Sequence, residues 1–79
     1  MMEINETENF IHVYESCVSV KKVKDVILPL FEELDCELID TDWGRPKEFF
    51  RCLSECEDDS RVGIDLLYKK RGKSWQSTL

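Results

Sequence analysis

Between Val20 and Leu34 the apolar residues recur at the spacing of one helical face, with Val20, Val23, Val26/Ile27, Leu30/Phe31 and Leu34 on the stripe. This is the clearest periodicity in the chain, and it constrains the rest. An amphipathic helix must lay its stripe against another layer, and 79 residues leave room for a few strands but not for a deep catalytic cleft. Ser19 stands where a side-chain cap belongs, so the helix is expected over about 19–35. Pro29 falls inside it. At 100° per residue it lies nearly opposite the stripe, which predicts one kinked helix curving around the core; the alternative is two short helices meeting near Leu28.

Three segments after the helix read as strands. Cys36–Trp43 holds Leu38, Ile39 and Trp43 and is closed by Gly44 and Pro46. Phe49–Cys56 alternates moderately, with Phe50, Cys52, Ser54 and Cys56 on one side. Val62, Ile64, Leu66 and Tyr68 alternate cleanly with Gly63, Asp65, Leu67 and Lys69. Glu57-Asp58-Asp59-Ser60 is turn chemistry and predicts a hairpin between the last two. Phe10–Tyr14 is read as a further strand on its β-branched and aromatic content, with a helix capped at Thr7 as the competing reading. The expectation is an α+β fold. One amphipathic helix packs on a mainly antiparallel sheet of three to four strands, in the order β-α-β-β-β. Residues 1–70 would form a single domain, and 71–79 a flexible basic tail in which Trp75 is able to fold back.

A domain of this size buries only about 60% of the surface of its unfolded chain. No apolar run approaches the roughly 20 residues that span a membrane, and the acidic, polar start Met1–Glu6 is unlike a secretory signal. A cytoplasmic protein with no membrane partner is expected, with Cys17, Cys36, Cys52 and Cys56 reduced.

Catalytic patterns are missing from the sequence. His12 is the sole histidine, and its odd separation from Cys17 puts the two on opposite faces of a strand. The cysteine spacings of 19, 16 and 4 lack the two close pairs of a zinc site, so buried thiols acting as small apolar groups are the simpler reading. Asp40 and Asp42 share one side of a strand, but no phosphate clamp accompanies them. No enzyme activity, metal or cofactor is expected.

The charge is more informative. The net charge is −6, but residues 1–60 carry 16 acids against 6 bases while residues 61–79 carry one acid against five bases. Glu32, Glu33, Asp35, Glu37, Asp40 and Asp42 follow one another with no basic residue between them. Lys21, Lys22 and Lys24 lie at the amino end of the helix and Glu32, Glu33 and Asp35 at its carboxyl end, an order that opposes the helix dipole by about 0.3–1 kcal/mol per charge. This acidic edge is expected to dock on a basic protein surface, with Trp43 as an anchor. Glu57, Asp58 and Asp59 form a second acidic group; on the same side as the first, the carboxylates would imitate a phosphate backbone. The basic stretch Lys69, Lys70, Arg71, Lys73 with Trp75 is the part of the chain suited to nucleic acid, an unlikely partner elsewhere on a net-acidic body.

Residues 26–43 also carry a resemblance. The proline inside the helix, Glu33-Leu34 near its end and the strand Glu37-Leu38-Ile39-Asp40-Thr41-Asp42-Trp43 resemble the first helix and strand of ribosome maturation factors. Asp35 stands where those factors usually have glycine, and their second, barrel-like domain has no counterpart here. The resemblance implies a ribosome- or RNA-associated accessory domain. The residues read on their own favour a small, acidic, non-enzymatic protein that inhibits or masks a basic surface of another protein, in the manner of an immunity protein, an antitoxin-like factor or a phage-encoded antagonist.

Overall fold

The computed structural model describes residues 2–71. Strand β1 (Glu3–Glu6) and strand β2 (Phe10–Ser19) precede a continuous helix α1, built from Val20–Lys22, Val23–Ile27 and Leu28–Glu33. Strand β3 (Cys36–Thr41), helix α2 (Pro46–Glu55) and strand β4 (Arg61–Lys70) follow. The four strands make one sheet in the order β1-β2-β4-β3, each neighbour antiparallel. The α+β class, with a long helix against an antiparallel sheet, is as the residues predict. The expected order is not, because a second helix stands where a strand was expected.

That helix is the main correction. The expected strand Phe49–Cys56 is instead the body of α2, which ends at Glu55 with Cys56 as its cap, and Glu57–Ser60 joins a helix to β4 instead of turning a hairpin. Pro46 opens the helix, where its missing N–H costs nothing, and the Phe49 N–H donates to the Arg45 carbonyl at 2.9 Å. Phe49 and Leu53, four residues apart, are its buried residues. A short apolar run fits a period of 2 or of 3.6, and burial of one face decided for the helix.

Helix α1 contains its own irregularity. The Leu28 N–H donates to the Val23 carbonyl, five residues back, so Val23–Ile27 is one π-type turn. Pro29 follows directly. In regular α geometry its ring would press on the carbonyl of Asp25, and the wider turn makes room. The inserted width also sorts the stripe: Val20, Val23, Ile27 and Phe31 are buried, whereas Val26, Leu30 and Leu34 are 53%, 40% and 41% exposed. Ser19 caps the start by accepting the Lys22 N–H at 3.2 Å, and the Val20 and Lys21 N–H groups reach the carbonyls of Ser60 and Asp58. At the other end Asp35 adopts φ 59°, the left-handed conformation that glycine favours and aspartate tolerates.

The sheet divides the residues between two faces. Ile11 opposes Tyr68, Val13 opposes Leu66 and Leu38 opposes Tyr68, and these side chains meet both helices in one core with Val18, Ile64 and Phe49. The strand reading of Phe10–Tyr14 holds; Thr7, a helix cap in the competing reading, instead closes the turn between β1 and β2 by accepting the Phe10 N–H at 3.2 Å. Bulges interrupt the ladder between Glu15 and Val18 and between Leu38 and Asp40. Arg71 is the last described residue, and the expected tail over 72–79 lies outside the described residues.

The register of α1 has a direct test. Ile27→Ala should cost about 2–4 kcal/mol in urea denaturation and Val26→Ala less than about 0.5 kcal/mol. Equal costs at these adjacent positions would contradict the π-turn placement.

Candidate functional site

Among the described residues, the face of the sheet turned away from the helices has no covering layer. Across its strands run Glu3, Tyr14 and Asp65 in one row, Asn5, His12, Leu67 and Asp40 in the next, and Phe10, Lys69 and Glu37 in a third. Phe10 and Tyr14 remain 38% and 40% exposed. Between the rows lies an open hollow of about 290 Å³ lined by His12, Asp40, Thr41, Asp42, Asp65 and Leu67.

Local chain geometry brings these groups together. The bulge after Leu38 lets Asp40 pair opposite Leu67, and the turn from Thr41 to Gly44 carries Asp42 back over β4. In that turn Gly44 has φ 107°, and a side chain there would press on the Glu48 carboxylate. The Asp42 carboxylate accepts the Asp65 N–H at 3.2 Å, and the Asp42 N–H donates to the Asp65 carbonyl at 3.1 Å. His12 and the Asp65 side chain are in direct hydrogen-bonding contact. Three carboxylates therefore surround a hollow whose floor is the aliphatic Leu67. Asp65 is the residue that sequence reading missed: in the alternating strand it reads as one more outward polar position. Its place opposite Tyr14, two positions along β2 from His12, follows only from the β2–β4 register.

The helix side carries a second concavity. A cleft of about 270 Å³ lies between α1 and α2, with Leu28 and Phe50 on its walls, Leu38 and Tyr68 toward the sheet and Glu32 and Arg71 at its ends. Tyr68 is 3% exposed and stacks on Phe31 with ring centroids 4.6 Å apart, yet among the described residues its hydroxyl has no hydrogen-bond partner. Burial, then the nearby Cys36 and Glu32, pushes its pKa upward; burial likewise raises the Cys36 thiol.

The acidic residues named from sequence do not form one edge. Glu37, Asp40 and Asp42 belong to the open face and its turn, Glu32 borders the cleft, and Glu33 is exposed at the end of α1. Asp35 is engaged by Arg71, whose Nε donates to it at 3.3 Å. Glu57, Asp58 and Asp59 lie at the opposite end of α1, where Asp58 pairs with Lys24 at 3.2 Å. Glu32, Glu33 and Asp35 are thus separated from this group by the length of the helix, about 20 Å. Trp43, expected as an interface anchor, is half-buried: its indole donates to the Gly63 carbonyl at 3.0 Å and its ring packs on Phe49. In the basic stretch, Lys70 is held by Glu6 and the Thr7 carbonyl and Arg71 by Asp35. Lys69 is exposed on the open face, and Lys73 and Trp75 lie outside the described residues. The cysteines are free thiols, Cys17 exposed, Cys36 buried and Cys52 and Cys56 half-buried. Among the described residues no group of three or more His, Cys, Asp or Glu side chains is placed to hold a metal, and no helix is long and apolar enough to cross a membrane.

No protein-family model, curated protein or solved structure matches this chain. The resemblance over residues 26–43 is accordingly not extended by any family match.

The unpartnered hydroxyl predicts that Tyr68→Phe raises stability by about 1–2 kcal/mol at neutral pH. Because burial raises the folded-state pKa, the native chain keeps a proton that the unfolded chain releases above pH 10, tyrosine's ordinary value. Stability is therefore full below pH 10 and declines above it. Denaturation from pH 8 to about 11 should show a smaller alkaline loss in the phenylalanine variant than in the parent.

Proposed function

We propose that this chain is a non-enzymatic binding protein whose open sheet face covers a basic surface of another protein. The observation that supports this reading most is the convergence of Asp40, Asp42 and Asp65 around an open hollow on an uncovered sheet face, with Phe10 and Tyr14 exposed beside it. A lysine or arginine side chain fits such a place: its head meets carboxylates and its stem lies along Leu67. Exposed aromatic rings next to the charges supply the apolar contact that holds an encounter complex together. The net charge of −6 adds long-range attraction toward a cationic partner.

Masking of this kind suits an antagonist acting in the cytoplasm, of the immunity-protein or antitoxin-like type. The nucleic-acid reading has less support, since Lys70 and Arg71 are engaged with acidic residues of the fold.

Affinity capture by the native chain should retain a basic protein at about 50 mM salt and release it near 300 mM. The double variant Asp40→Asn/Asp42→Asn keeps both side-chain acceptors and removes two charges, and should lower capture at least about tenfold. Capture that is indifferent to both salt and these substitutions would sink the reading.

A further inference from the structure

The cleft on the helix side shares no lining residue with the open-face hollow, although Glu37 at the sheet edge borders both the cleft and the open face. Its walls are apolar, Leu28 from α1 and Phe50 from α2, with Leu38 toward the sheet. The Phe50 ring is 47% exposed, resting edge-on against Phe49 on its inner side. At about 270 Å³ the cleft falls at the lower limit of small-molecule sites and suits one large side chain. Tyr68 adds a polar demand. It is more than nine-tenths buried within the lining of this cleft, and its hydroxyl is unsatisfied. A buried hydroxyl without a partner is destabilising, so its occurrence at a binding concavity points to a group that completes it on binding. The surroundings are net acidic: Glu32 and Glu37 line the cleft, while the opposing cation, Arg71, is engaged by Asp35 and Glu37.

We propose that this cleft receives an aromatic side chain, best an indole, from a lysine- or arginine-containing segment of another protein. The flat ring enters between Leu28 and Phe50 and stacks its apolar area against them. Its N–H donates to the Tyr68 hydroxyl, and flanking cations meet Glu32 and Glu37. The site goes beyond the open-face reading and does not depend on it, because none of its lining residues lines the open-face hollow.

The test is a titration of the full ¹⁵N-labelled chain with the capped tripeptide Lys-Trp-Lys, beside Lys-Ala-Lys and Glu-Trp-Glu. The expected result is chemical-shift change centred on Leu38, Phe50 and Tyr68, with Lys-Trp-Lys binding at least about tenfold tighter than either control. Tyr68→Phe keeps the ring stack and should weaken binding about fivefold, the loss of one hydrogen bond. Phe50→Ala removes an exposed wall without opening the core and should weaken it about tenfold or more. Equal affinity for Lys-Ala-Lys, indifference to Phe50→Ala, or shifts confined to His12, Asp65 and Leu67 would overturn the assignment; the last two would leave the open-face reading standing. Binding seen only in a Trp75→Ala chain would assign the cleft to this chain's own end. Line broadening of the unliganded protein with concentration, abolished by Phe50→Ala, would assign it to a second copy. Either result also overturns the proposal.

Discussion

The pairing of β4 with β2 on one side and β3 on the other decides where every other group stands. Ile64, Leu66 and Tyr68 turn inward and Asp65, Leu67 and Lys69 outward, and their partners on β2 and β3 follow the same alternation. A slip of one residue would send Asp65 and Leu67 into the core and strand Leu66 and Tyr68 on the surface. The hydrophobic pattern therefore locks the register, and the register places the hollow on one face and the cleft on the other. The β2 bulge lies beyond the regular run Ile11–Val13 opposite Leu66–Tyr68, and the β3 bulge sits on the other side of β4, opposite Leu67 and Tyr68.

Charge along α1 runs against its dipole, and tertiary contacts offset the penalty locally. At the amino end Lys24 meets Asp58 and Lys21 meets Asp25, so the cations there face acids instead of bare N–H groups. At the carboxyl end Arg71 reaches Asp35 and approaches Glu37 at 4.0 Å. These pairs are exposed and each is worth little. Among the described residues no ion pair engages Glu32 or Glu33, and Glu32 borders the cleft.

Legibility from sequence followed the strength of each local signal. The helix stripe and the β4 alternation were readable because burial on one face imposes a period over many residues. Val26, Leu30 and Leu34 looked equivalent to Ile27 and Phe31 until the π-turn before Pro29 separated them, since a wide turn shifts the phase without changing composition. Phe49–Cys56 was misread because eight residues satisfy either period, although Pro46 followed by Phe49 and Leu53 was the helical signal available. Strand β1 escaped notice because Glu3, Asn5 and Glu6 are polar and its four residues are all exposed. Half of the open-face hollow, Asp40 and Asp42, was visible as an acidic run. Its other half, His12 and Asp65, lies 53 residues apart in sequence and meets only through strand pairing.

Leu67 and Tyr68 are adjacent in the chain and serve opposite sides of the sheet, one in the hollow and one in the cleft. Strand β3 spans both as well, with Leu38 toward the cleft and Asp40 toward the hollow, and the bulge between them sets their relative orientation. An edge strand is the least constrained strand of a sheet, held by β4 on one side and by the ends of the helices on the other. Closing the cleft around a side chain would draw on Leu38 and Glu37, and any shift there passes through two residues to Asp40. The two surfaces are thus joined through β3, and the bulge lies between the residue that serves one and the residue that serves the other.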